Sequence, residues 1–244
     1  MIEVKQLSKN FKDVNALNSL TFNAPDGQIT GLLGPNGAGK TTCLRIIYGL
    51  LQAQQGQALI NGIDANQQPI QARRQIGIFP DKFGLYERLT VREQIAYFAQ
   101  LHGLAGEKLE QKVAQVIEQL DIVELANRKS AGFSQGQRMK VALAQALVHD
   151  PKHLILDEPS RGLDVMSTRI LRDILREQRA QGTCILFSSH VMQEVAALCD
   201  RVVVMANGRV AAEGTPAELC QLTGESALEE AFVKIIGSDE GIAA

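Results

Sequence analysis

Apolar and polar residues alternate through "MIEVKQLSKNF" and "ALNSLTFNA", which predicts two strands, the second running into a turn at "PDG". "ITGLLG" is a continuous apolar run and reads as a buried strand, while "KTTCLRIIYGLL" behind it has helical spacing. "GQALINGIDA" predicts a short strand pair, and "RRQIGIFPD" a strand stopped at Pro80. From Val91 to about Leu125 the character changes. "TVREQIAYFAQLHGL" and "EKLEQKVAQVIEQLDIVEL" predict amphipathic helices, the first capped by Thr90. "AGFSQGQRMKVALAQAL" predicts another, with Ser134 as cap and Met139, Ala142, Leu143, Ala146 and Leu147 on one face. "KHLILDEP", "CILFSSH" and "RVVVMANGRVAAEG" restore strands, with the helix "STRILRDILREQRAQG" between the first two. Such alternation gives an α/β fold whose mostly parallel sheet is covered by helices and interrupted by a helical insert. The last dozen residues, "GSDEGIAA" included, read as a frayed tail.

Composition narrows the function classes more than it names one. With 244 residues the chain can bury a full core in one or two domains. Its net charge of −2 comes with Lys and Arg spread along the chain, so no nucleic acid or anionic membrane is expected as a direct partner. The four cysteines are scattered with no Cys-x-x-Cys pair, and three have apolar neighbours; buried free thiols in a reducing compartment are expected, and no zinc site. The N-terminus lacks the apolar core of a signal peptide, and no apolar run reaches the ~18 residues that span a bilayer. Any membrane role then runs through another chain.

"GPNGAGKT", residues 34–41, fits the phosphate-loop pattern Gly-x-x-x-x-Gly-Lys-[Ser/Thr]. Gly34, Gly37 and Gly39 let successive amides turn inward around a phosphate. The helix start at Lys40 adds its dipole. Pro35, Asn36, Ala38 and Thr42 complete the wrapping segment; Lys40 reaches outer phosphates and Thr41 offers a hydroxyl to Mg²⁺. In "LILDE" a buried strand ends in two acids, which places Asp157 at the carboxyl edge of the sheet, where phosphate loops lie. Asp157 then completes the Mg²⁺ shell, and Glu158 orients or deprotonates the attacking water.

Together with "GLD" (Gly162, Leu163, Asp164), the lone His190 after a strand and "FSQGQ" in the opening of its helix, these motifs resemble the ATP-binding cassette (ABC) ATPases over nearly the whole chain. The resemblance implies a P-loop core with a small antiparallel β subdomain, in one domain over 1–232 with its helical subdomain at about 86–148 and a tail at 233–244. It implies ATP and Mg²⁺ as ligands. Ser134, Gln135, Gly136 and Gln137 fall where the family keeps its Leu-Ser-Gly-Gly-Gln signature. That helix start cannot easily serve the chain's own nucleotide, already wrapped by 34–42, but it can cap another copy's ATP across a twofold axis. By the same resemblance His190 contacts the γ-phosphate, although alone it reads as a structural polar residue. Asp164 caps its helix, crosses the dimer interface, or does both. Phe11 is either the adenine-stacking aromatic or a core strand residue.

Two positions depart from the family pattern. Gln135 replaces the first signature glycine, which requires a backbone without positive φ. Asp81 stands where glutamine is usual; ionised aspartate only accepts hydrogen bonds and adds charge near phosphates, so it needs Mg²⁺ or another cation beside it. Asp81 is expected to bind the metal or its water. "PDKFGLYERLTVRE" and "GLDVMSTR" resemble the sodium-extrusion branch of bacterial ATP-binding subunits, which also tends to carry Asp there. The expected role is an ATP-hydrolysing subunit that drives a separate transmembrane permease from the cytoplasmic face of the inner membrane, an exporter with Na⁺ as the branch's cargo. The alternative is a soluble cassette ATPase acting on ribosomes or DNA.

Overall fold

The computed structural model describes residues 1–12 and 14–239. In chain order the elements are β1 (Ile2–Phe11), β2 (Val14–Ala24), β3 (Ile29–Leu33), α1 (Lys40–Ile47), β4 (Gln55–Ile60), β5 (Ile63–Asp64), α2 (Pro69–Arg74), β6 (Ile76–Phe79), α3 (Val91–Leu101), α4 (Gly106–Gln119), α5 (Gln135–Leu147), β7 (His153–Asp157), α6 (Val165–Ala180), β8 (Cys184–Ser189), α7 (Met192–Leu198), β9 (Arg201–Ala206), β10 (Arg209–Gly214), α8 (Pro216–Thr223) and α9 (Leu228–Asp239). A six-stranded sheet has the order β10-β9-β3-β8-β7-β6, parallel except for β10, and a four-stranded antiparallel sheet has the order β2-β1-β4-β5. This is the mixed α/β architecture expected.

Every residue of β3, β7 and β8 is buried, which is why their sequences are apolar runs rather than alternations. Alternate side chains feed two cores. Ile29 and Leu33 join the cluster built with the helical insert and α6, while Leu32 joins the one under the antiparallel sheet and α1. Parallel pairing sets Leu33 beside Ser189 and Asp157 beside Ser188, so the three strands deliver their carboxyl ends to one place.

The insert is tied down by polar contacts in an otherwise apolar interior. Thr90 and Glu93 form a capping box at the start of α3. The fully buried Gln94 donates to Ser130 Oγ at 3.1 Å and accepts from the Tyr86 amide at 2.9 Å, which fastens the segment after β6 to the insert. Cys43, Cys184 and Cys199 are buried free thiols; Cys220 is half-buried. No helix among the described residues is long and apolar enough to cross a membrane.

Two sequence expectations need correction. The helix read through Leu125 ends at Gln119, because Asp121 adopts φ +51° and the turn lets Leu120 and Ile122 both point inward. The tail expected from 233 is helical as far as Asp239, since Ile235 and Ile236 pack into the larger core; residues 240–244 lie outside the described residues. The short helix α2 lies in a polar stretch without helical periodicity, and Pro69 starts it.

His102 and His149 stack with centroids 3.5 Å apart and planes 11° from parallel, and His149 Nε2 donates to Ile76 O at 3.1 Å. Burial, then the neighbouring His102, push the His149 imidazole down to about 4; burial, then Arg74, lower His102. Both rings therefore favour the neutral form in the folded state. The His149 contribution to stability is full above the ordinary value of 6.5 and is lost as pH falls towards 4, and His102 acts in the same direction. The urea midpoint is expected to drop between pH 7 and pH 4, and His149→Phe to flatten that drop.

Candidate active site

The loop between β3 and α1 closes around the fully buried sheet end. Gly37 and Gly39 have φ of +88° and +100°, and a Cβ on Gly39 would lie 2.4 Å from Ala16 O, so only glycine fits there. Lys40 folds back over the loop and donates to Gly34 O at 2.6 Å and Pro35 O at 3.2 Å. Burial lowers its pKa from the usual lysine value, offset in part by the charges of Glu158 and Asp157. An ammonium bonded only to neutral carbonyls in a partly dry pocket is poised to take an anion. The pocket has a volume of about 750 Å³ and is lined by residues 34–42 together with Phe11, Asp81, Glu158, Arg161, His190, Met192 and Phe232.

At its base Asp157, nearly fully buried, accepts from Ser188 Oγ at 2.6 Å and from Thr41 Oγ1 at 3.3 Å. A threonine hydroxyl and a carboxylate meeting beneath a phosphate loop are hard oxygen donors of the kind Mg²⁺ selects, so the donor set fits that ion. Glu158 follows with φ +51°, a strained conformation for a residue with a side chain. Its amide holds that geometry by donating to Ser188 O at 3.2 Å and Ser188 Oγ at 3.0 Å. Its carboxylate meets His190 Nδ1 at 2.6 Å; because a carboxylate only accepts, Nδ1 carries the proton and Nε2 is left for another partner.

Phe11 is 43% exposed at the end of β1, with Lys9 Nζ 5.3 Å from its ring centroid. Of its two readings, the core one is excluded. Asp81 is not alone in the pocket: Arg161 Nη1 donates to it at 3.0 Å. Neither Arg161 nor Ser188 was singled out in the sequence. Ser188 stands in "FSSH" two residues before His190, and that place beside the lone histidine is the sequence signal for it.

The second helix start is built as expected. Ser134 accepts from the Gln137 amide at 3.2 Å, and Gln137 Oε1 accepts from the Ser134 amide at 3.0 Å, a reciprocal cap. Since the Ser134 hydroxyl accepts there, its own proton stays free to donate outward. Gln135 opens α5 without positive φ, which is why a side chain is tolerated. A Cβ on Gly136 would lie 2.4 Å from Ser167 Oγ, so the glycine admits the start of α6. Asp164 caps α6 by accepting from the Ser167 amide at 2.7 Å, a bond that lowers its pKa. Ser134, Gly136 and Gln137 line a different cavity, with Asp121 and Ile170, and not the phosphate pocket. Within one chain the starts of α1 and α5 face different spaces.

Known proteins share this sequence pattern and fold. Residues 17–161 match the family described as ABC transporter. The chain is 39% identical over 219 residues to the ABC transporter ATP-binding protein NatA of Bacillus subtilis (strain 168), covering 88% of this chain and 89% of that one. It superposes on a solved ATP-binding subunit of an ABC transporter with TM-score 0.88 at 33% identity, over 96% of this chain and 99% of that one. A dimeric bacterial ABC transporter cassette shares the fold at TM-score 0.79 and 24% identity, over 88% and 98% of the two chains. With the family model matched over more than half of its length and a relative 39% identical over most of both chains, this chain belongs to the ABC transporter family, as one of its ATP-binding subunits.

Proposed function

We propose that the chain hydrolyses ATP in a head-to-tail dimer with a second copy of itself and so drives a separate transmembrane permease. The observation that carries this reading is the division of anion-directed groups between two cavities of one chain. Residues 34–42 wrap the phosphates of one ATP, Lys40 leaves its carbonyl partners for the outer phosphates, and Phe11 stacks on the base. Ser134, Gln135, Gly136 and Gln137 of the opposing copy supply the donors that close the site, with Asp164 between the two. Thr41 and Asp157 would hold Mg²⁺, with Asp81 towards its water; the ion would neutralise charge developing on the phosphates. Glu158 accepts a proton from the attacking water as it adds to the γ-phosphorus and ADP leaves. The link from His190 to Glu158 holds that carboxylate in position, and Nε2 faces the terminal phosphate.

The permease is read as docking on residues 81–100, between the sheet and the insert, which places the subunit at the cytoplasmic face of the inner membrane. Likeness to NatA and to the sodium-extrusion branch supports export, with Na⁺ as the first cargo to test. Co-purification from the native membrane tests the reading. A stable complex with a polytopic membrane protein, and ATP-dependent Na⁺ uptake into inverted vesicles, are the expected results. Ribosome or DNA association with no membrane partner overturns it.

A further inference from the structure

The phosphate pocket contains an ion pair, Asp81 with Arg161, of which the mechanism above uses only the aspartate. Asp81 lies two residues beyond β6, and Arg161 lies in the turn after β7; these strands are neighbours, with Phe79 opposite Leu156. The pair closes across that edge at 3.0 Å, although 80 positions separate the two residues. The Arg161 backbone is anchored: its amide donates to Glu158 O at 3.1 Å, and the preceding Ser160 Oγ donates to Glu194 at 2.5 Å. Asp81 thereby gains a partner whose stem cannot drift far from the strand ends.

With side chains 64% and 25% exposed, Arg161 and Asp81 form a wet pair that adds little to folding. Its consequence is electrostatic. Among the described residues, Lys40 and Arg161 are the lysine and arginine side chains lining the pocket, set against the carboxylates of Asp81 and Glu158. A triphosphate bound there brings further negative charge. Removing Arg161 alone would leave Asp81 as an uncompensated anion beside it.

We infer that Arg161 is the counter-cation that allows an aspartate to stand at position 81 beside a triphosphate. It is a positioning residue that acts on nucleotide affinity through Asp81, holding and neutralising that carboxylate without itself binding the phosphates. The inference rests on residues 34–42 being a triphosphate site, and it concerns a contact between Asp81 and Arg161 that none of that site's motifs specifies.

Binding of trinitrophenyl-ATP to the full chain, followed by fluorescence in EDTA and again in Mg²⁺, tests it. Arg161→Ala is expected to raise Kd about tenfold in EDTA and less in Mg²⁺, with an unchanged melting temperature. In EDTA, where the metal role of Asp81 is silent, adding Asp81→Asn to Arg161→Ala is expected to restore wild-type binding, and Arg161→Lys to retain most of it. Should Arg161→Ala melt early, Arg161→Gln enters the same cycle. An equal loss with and without Asp81→Asn means that Arg161 touches the nucleotide directly and overturns the proposal, as does unchanged binding in Arg161→Ala. A wild-type chain that fails to bind the analogue overturns the triphosphate reading itself, and the proposal with it.

Discussion

Glu158→Gln is expected to lower ATP turnover by about 10²–10⁴-fold while nucleotide still binds. The substitution keeps the shape of the side chain. The backbone at 158 is held by bonds from its own amide to Ser188, which the change does not touch. What disappears is a carboxylate able to take a proton from water. The strained φ of +51° would be an odd expense for a surface acid with no task, but it turns the Glu158 side chain into the phosphate pocket. Phosphate release measures the turnover, and binding of a fluorescent nucleotide measures occupancy. Turnover near wild type would remove Glu158 from the chemistry.

Ser134→Arg is expected to abolish turnover nearly as completely, although the residue lines no part of its own chain's phosphate pocket. Nucleotide affinity of the single chain should be unchanged. Loss of a helix cap costs about 1 kcal/mol, so a destabilised fold is the competing explanation. Ser134→Asp separates the two. Aspartate caps a helix as well as serine, yet it sets a negative charge where the opposing copy's terminal phosphate is to lie. A stable, inactive Ser134→Asp is the expected result. Full activity in that variant means that the exposed helix start meets no phosphate.

How much could be read in advance follows from the range of each interaction. The β3 strand, the phosphate loop and α1 were legible because burial on both faces forces an apolar run and the loop's glycines answer to local backbone demands. The caps at Thr90 and Ser134 were legible because each box closes over three residues. The end of α4 was not, since Leu120, Ile122 and Leu125 continue an apolar pattern that only the left-handed Asp121 interrupts. Helix α9 looked like a tail because its anchors, Ile235 and Ile236, have meaning only beside a core assembled from distant strands. In the site, Asp157 ends its strand, Glu158 and His190 follow theirs, and all three announce themselves. Arg161 does not, because its partner comes from another strand and the sheet alone brings the two together. The exposure of Phe11, likewise, is decided by where β1 ends and not by the residues around it.

The central claim is that one chain holds half of a working centre and a second copy completes it. Light scattering on Glu158→Gln at saturating ATP and Mg²⁺ tests this most directly. A species of twice the 26.6 kDa chain mass is predicted, returning to a single chain when Ser134→Arg is added. A nucleotide-saturated protein that stays at the mass of one chain, or a dimer indifferent to Ser134→Arg, would contradict it.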